Sequence, residues 1–370
     1  MAPQCRIPNA VEKILAASHC NVAYIGGSLT VGVGASNTAE TSWRALFTQY
    51  LYQTYHPRYH CQISEIMGAI GACESYVAAF TLGRNVLPAL PDLALVEFCV
   101  NDQSAPDKPL VRKGMEGIVR QLRSARNTCD VMILGMGQRD RPADDAIHRE
   151  VAEHYGLPFV DVHSYLVTEL GRRGQTWDDI TIEFEQNDPH HLNDYGQQLC
   201  FEAIRECFEE QLERFQAGHR RPRRFLPEPM LSDELEFARL IDPARPTPDL
   251  TLSGEWAPAP PGRVPWYFDH LTVGPPGAEL TFEFDGTAVA VFGLMYNNGL
   301  TLQAELDGRP VRDAYLRFFI EFGKGFVLAH GLEGGRHVLR LTVSPPSRRH
   351  NKLESPAAAI GYLGVAGRSG

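Results

Sequence analysis

Basic charge is in short supply in this chain. Its 35 Lys and Arg are outnumbered by 45 Asp and Glu, for a net charge of −10. That deficit argues against nucleic acid or an anionic membrane as a partner, because phosphate binding needs a basic surface. No run approaches the ~18 uninterrupted apolar residues that a membrane span requires. Met1 to Ala10 lacks the basic-then-apolar pattern of a signal peptide, which predicts a cytoplasmic protein. The eight cysteines include no C-x-x-C pair. Without an export signal they read as reduced, mostly buried thiols and not as a disulfide framework. They are equally poor candidates for zinc, whose thiolate ligands normally come in close pairs, so no metal site is expected.

What is present is ordinary globular material, 44% apolar and 22% charged over 370 residues. At roughly 150 residues per domain, that length predicts two or three domains. From Cys20 to about Glu213, short apolar runs alternate with helical patterns. Strands are expected at Asn21–Gly26, Gln62–Met67, Leu93–Phe98, Val131–Gly135 and Pro158–Val162. Each ends in Gly, Asn or a polar turn, which suits strands buried on both faces of a parallel sheet. Helices are expected at Ser42–Tyr55, Val111–Arg126 and Ala143–Tyr155, the second marked by the stripe Met115, Ile118, Val119 and Leu122. A last helix, Tyr195–Phe215, follows Asn193 and Asp194, either of which could cap it. Strand and helix in alternation imply a three-layer α/β domain over residues 1–215.

Composition then shifts. His219 to Arg224 is basic and prolines become frequent, so 216–249 reads as a Pro/Arg-rich linker with a solvated basic face. It should hold one short helix, Ser232–Leu240, capped by Ser232 and packed on the first domain. From Leu250 onward the pattern alternates in twos, as in Glu279-Leu-Thr-Phe-Glu-Phe and His337-Val-Leu-Arg-Leu-Thr-Val. Asp285-Gly286, Asn298-Gly299 and Asp307-Gly308 supply turns. Several short strands without helices make 250–370 an all-β sandwich.

The first strand runs into Gly26-Gly-Ser-Leu-Thr-Val-Gly-Val-Gly-Ala. A glycine-rich turn at that place can cradle a phosphate. Here there is no G-K-[ST], and Gly32 and Gly34 lack the third glycine of G-x-G-x-x-G. No nucleotide cofactor is expected. What the turn does supply is Ser28, at the edge of a parallel sheet where α/β sites form. A serine attacks only when a base takes its proton, and the base needs an orienting carboxylate. One region supplies both, Asn187-Asp-Pro-His-His-Leu-Asn-Asp-Tyr-Gly. Asp188 and His191 are three apart, so one turn can bring the carboxylate to imidazole Nδ1 and leave Nε2 to face Ser28. His190, two from Asp188, fits that turn less well. Trp43, on an amphipathic helix, reads as core.

These residues resemble the SGNH (GDSL-type) serine hydrolases, in four blocks across Asn21 to Gly196. The blocks are Gly26-Gly-Ser-Leu-Thr, Met67-Gly-Ala-Ile-Gly, Val100-Asn-Asp and Asp188-Pro-His-His-Leu-Asn. The resemblance implies a flavodoxin-like α/β/α fold, Ser28 as nucleophile, and Asp188 and His191 as its partners. It also implies an oxyanion hole formed by the amides of Ser28 and Gly71 and the side chain of Asn101, with Gly68 second to Gly71. Asp102 is expected to be structural. Three positions depart from the family pattern: Gly27 for Asp, Val100 for Gly and Leu192 for Pro. Gly27 argues against simple lipase behaviour, and Val100 is expected to narrow the pocket beside Asn101. The second domain looks like the sandwich modules of some carbohydrate deacetylases, which implies a sugar O-acetyl ester as substrate. The expected protein is therefore a cofactor-free serine esterase. An O-acyltransferase with the same triad is the alternative, and a non-catalytic carbohydrate-binding protein the second.

Overall fold

A computed structural model describes residues 4–126, 129–139, 145–182, 190–219, 226–245, 247–264, 267–348, 350 and 355–367. The chain divides into two units, Met1–Ser232 and Asp233–Gly370.

Among the described residues of the first unit, five short runs, one of them (Gln62–Met67) largely exposed, form one parallel sheet. They are β1 (His19–Gly26), β2 (Gln62–Met67), β3 (Leu93–Glu97), β4 (Asp130–Leu134) and β5 (Phe159–Val160), in the order β2-β1-β3-β4-β5. The central strand β3 is buried at every residue, as a strand covered on both faces must be. Helices α1 (Pro8–Leu15), α2 (Ser28–Val31), α3 (Trp43–Tyr59), α4 (Ser75–Asn85), α5 (Cys99–Gln103), α6 (Lys108–Arg126), α7 (Ala146–Tyr155), α8 (Val162–Arg173) and α9 (Asp194–Gln216) complete the unit. α1 and α3 pack with α9 to form one outer layer, and α6 packs with α4 and α7 to form the other. The chain leaves β1 for β2 on one side and β3 on the other. That order makes the carboxyl ends of β1 and β3 the switch point, where a crevice opens in sheets of this kind.

Seven of the eight cysteines are buried, Cys207 is half-buried, and all eight are free thiols, as composition predicts. Asn193 is the cap of α9, its side chain accepting from the amides of Tyr195 and Gly196, each at 3.0 Å.

The second unit holds two six-stranded sheets. One runs Arg309–Pro310, Thr301–Leu306, Arg336–Val343, Glu279–Asp285, Leu250–Ser253, with Ala314–Tyr315 on Thr301–Leu306. The other runs Phe322–His330, Ala288–Met295, Ala358–Ala366, Leu271–Gly274, Ala257–Ala259, with Arg239–Ile241 on Ala358–Ala366. Neighbouring strands pair antiparallel, and residues of both sheets, Phe282 and Leu339 with Val291 and Leu363, share one apolar core. This is the expected sandwich.

One expectation is corrected. Ser232–Leu240 is not a helix on the first domain: Glu234–Phe237 is a 3₁₀ turn, and Arg239–Ile241 is a strand of the second unit. Its backbone pairs with Leu363–Val365, while Glu234 Oε1 accepts from the amide of Gly331 at 2.9 Å. A ladder with a distant strand overrides a weak local helix signal. The three expected turn dipeptides all fall where one strand gives way to the next, and differ in what they join. Asp307-Gly308 is a two-residue hairpin, both residues at positive φ (52° and 75°), joining paired strands. The other two carry the chain from one sheet to the other.

The end of the first unit is held by a buried carboxyl. Glu116 of α6 accepts from Tyr155 Oη at 2.6 Å, from the amides of Leu231 and Ser232 at 2.9 Å each, and from the amide of Met230. Arg120 adds a bond to the Pro227 carbonyl at 2.8 Å. Replacing Glu116 by Ala strands these donors, and a buried unsatisfied donor costs about 1–3 kcal/mol. Glu116→Ala should destabilise the first unit by about 3 kcal/mol, read as a lower urea midpoint. An unchanged midpoint would mean that residues 230–232 contribute nothing to its stability.

Candidate active site

The site is built where β1 gives way to α2. Gly27 is extended (φ −88°, ψ −154°), and Ser28 opens the four-residue turn that Gly32 ends at φ +92°. Ser28 is half-buried, and His191 Nε2 lies 2.8 Å from its Oγ. Asp188 lies outside the described residues. His190 sits beside His191 with ring centroids 4.4 Å apart, and it is His191 that reaches Ser28.

The segment bearing His191 is held from several directions. The His191 carbonyl accepts from the Ile182 amide at 3.1 Å, and the Asn193 amide donates to the Ile180 carbonyl at 2.9 Å. Asp194 ties this segment to the loop after Ser28. It accepts from Ser36 N at 2.7 Å, Ser36 Oγ at 2.5 Å and Thr41 Oγ1 at 2.7 Å. Those hydrogen bonds hold its carboxyl below the usual range. Gly34, at φ +100°, lies so close to the backbone of Leu192 that a Cβ there would overlap the Leu192 carbonyl. Beneath the turn, Trp43 is buried as expected, and its indole donates to the Leu29 carbonyl at 3.0 Å.

Asn101 sits in α5, directly after β3. A Cβ built at Gly27 would overlap its Oδ1, so the amide group occupies the space beside the residue that precedes Ser28. After β2, the two glycines differ. Gly68 is buried and its amide donates to the Tyr24 carbonyl at 2.9 Å, while the Ile70 amide donates to Gly26 at 2.9 Å. Gly71 is exposed, with open space where a Cβ would stand. Asp102 is buried and serves the scaffold, as expected. It accepts from the Ser75 amide at 2.9 Å and lies 3.0 Å from His148 Nε2. Val100 is buried within the apolar core cluster of the unit, with little surface left to narrow a pocket.

Sequence reasoning missed Glu97 and Thr30. Thr30 Oγ1 donates to Glu97 Oε2 at 3.2 Å, both fully buried. The available signal was a lone Glu inside the apolar run Leu93 to Phe98.

Residues 24–199 match the model of the GDSL-like lipase/acylhydrolase family. The first unit is a GDSL-like acylhydrolase domain. All four sequence blocks that carry the resemblance fall within or at the edge of that span. Two solved structures of a two-domain esterase (CEX) active on acetylated mannans, one co-crystallised with mannopentaose, are similar over both units. Each has a TM-score of 0.83 at 17% identity, covering 99% of this chain and 96% of that one. At that identity the likeness shows a common two-domain fold. No curated protein matches the chain.

The acylhydrolase turn has no room for a side chain at residue 27. Gly27→Ala should push Asn101 aside while leaving the rest of the fold alone. If Asn101 is the oxyanion donor expected from the sequence, turnover of p-nitrophenyl acetate should fall at least ~100-fold, since one such donor is worth about 10²–10³ in kcat. The urea midpoint should move little. Wild-type turnover in this variant would remove Asn101 from the site.

Proposed function

We propose that this protein is a serine esterase that hydrolyses small acyl esters, O-acetyl groups on a carbohydrate foremost. The observation that carries the reading is the 2.8 Å contact of His191 Nε2 with Ser28 Oγ, at the switch point of a GDSL-like acylhydrolase domain. Ser28 Oγ attacks the ester carbonyl as His191 takes its proton, forming a tetrahedral intermediate. The amides of Ser28 and Gly71 and the side-chain amide of Asn101 receive the oxyanion, each donor being worth roughly 3 kcal/mol of barrier. His191 then returns the proton to the leaving alcohol, which departs as the free sugar hydroxyl and leaves an acyl-enzyme. Water attacks that ester with His191 again as base, and the acid is released. Asp188, three residues before His191, is assigned the orienting carboxylate from its spacing in the sequence.

The carbohydrate part of the reading is supported by the two-domain fold shared with an esterase active on acetylated mannans. A neutral sugar ester also suits a chain of net charge −10, since it needs no basic surface. No cofactor enters these steps.

A fluorophosphonate probe should label the wild-type protein and fail to label Ser28→Ala. His191→Ala should lose on the order of 10⁴-fold or more of its p-nitrophenyl acetate turnover. Equal labelling of wild type and Ser28→Ala, or near wild-type turnover in His191→Ala, would sink the assignment. For the substrate, an O-acetylated manno-oligosaccharide followed by mass spectrometry should lose acetyl mass to water whether or not an acceptor sugar is present. Acetyl mass appearing only on the acceptor would replace hydrolysis by transfer.

A further inference from the structure

Glu97 is the last residue of β3 and is fully enclosed. The rest of that strand is Leu-Ala-Leu-Val, and a carboxyl in such surroundings carries a desolvation cost that an apolar side chain would not. Burial pushes its carboxyl up to about 7, opposed by hydrogen bonds from Thr30 and the backbone of Gly27. Those two donors bracket Ser28 in the chain. The carboxyl is thus tied to the nucleophile turn by the Thr30 hydrogen bond at 3.2 Å, with the Gly27 backbone acting on it from the other side of the serine. The same strand runs on into α5, which carries Asn101.

We propose that Glu97 is a positioning residue, whose carboxyl holds the turn bearing Ser28 in register with Asn101. This inference rests on the reading of Ser28 as nucleophile. Glu97 acts through Gly27 and Thr30 and does not touch the ester. The titratable groups that face it are Asp102 and Cys99, from the segment after β3, and Cys200 from α9. None of the three supplies positive charge, so the ionised form is held by its two donors. On protonation the carboxyl gains a hydrogen inside an enclosed site where Oε1 has no hydrogen-bond partner among the described residues. The grip therefore weakens as pH falls through about 7. The acid limb of kcat then carries the protonation of Glu97.

The test measures kcat and KM for p-nitrophenyl acetate between about pH 5 and about pH 9. It compares the full-length wild type with Glu97→Gln, Thr30→Val and the double variant. Glu97→Gln should lower kcat roughly tenfold on the alkaline plateau with KM nearly unchanged. The slope of log kcat on the acid side should be lower by about one in Glu97→Gln than in the wild type. Thr30→Val should also lower kcat, and the double variant should be little worse than the poorer single one, because both remove one grip. An acid slope in Glu97→Gln equal to that of the wild type, wild-type kcat in both single variants, or fully multiplying losses in the double variant would each overturn the proposal. If Glu97→Gln does not fold, Thr30→Val decides alone: lower kcat at unchanged KM supports the grip, and wild-type kcat overturns it. Failure of the esterase reading looks different, because the wild type would then turn over no more ester than Ser28→Ala.

Discussion

The constraint on which the site depends is the contact between the end of β1 and the end of β3. Neighbouring strands of a sheet lie about 4.8 Å apart, so a turn leaving β1 passes directly over the residues at the start of α5. The Glu97 carbonyl and the Thr30 side chain fill the space that a Cβ at Gly26 would need, and Asn101 fills that beside Gly27. A side chain at either position could be accepted only by moving β3 or by giving up Asn101. In this chain a side chain at position 27 would meet the Asn101 amide group.

The rest of the first unit secures this contact from outside. Asp194 binds the loop after Ser28 to the start of α9, so two chain segments 158 residues apart move together. Trp43 supports the turn through the Leu29 carbonyl and meets Tyr24 of β1 edge-on, with ring centroids 5.5 Å apart. Asp102 joins α5 to the first turn of α4. Each bond is worth only about 1 kcal/mol net. Their effect lies in geometry, because a nucleophile and its base lose catalytic value steeply when displaced by about an ångström.

Much of this was legible in the sequence, for identifiable reasons. The inner strands β1, β3 and β4 announce themselves because a strand buried on both faces must be largely apolar. The pairing of Ser28 with His191 was readable because a local spacing selected one histidine among thirteen. Gly71 ranked above Gly68 by alignment; the Gly68 amide donates to the Tyr24 carbonyl. What could not be read depends on partners far along the chain. Arg239–Ile241 became a strand because Leu363–Val365 offered an open edge, and no local signal announces that. Asp285-Gly286 looks like a hairpin turn in sequence, yet the strands around it go to different sheets. Glu97 passed as a charged residue at a strand end, since its meaning depends on two donors 67 and 70 residues earlier.

The glycine-rich stretch after β1, which first raises the possibility of a phosphate cradle, is resolved by counting its amides. Thr30 and Val31 donate to the Gly27 carbonyl, Gly32 and Val33 to Ser28, and Ala35 to Gly32. A phosphate cradle needs several such N–H groups turned toward the ligand. In this turn they are used by the turn itself. The amides at its very front have no carbonyl one turn earlier to receive them, as at the start of any helix. One of those is the amide of Ser28. A turn with so few amides to spare is poorly suited to a polyanion and well suited to a single oxygen that bears charge only in passing. Glycines at 26 and 27 give strands β1 and β3 their close contact, those at 32 and 34 bend the chain back toward Leu192, and both placements converge on Ser28.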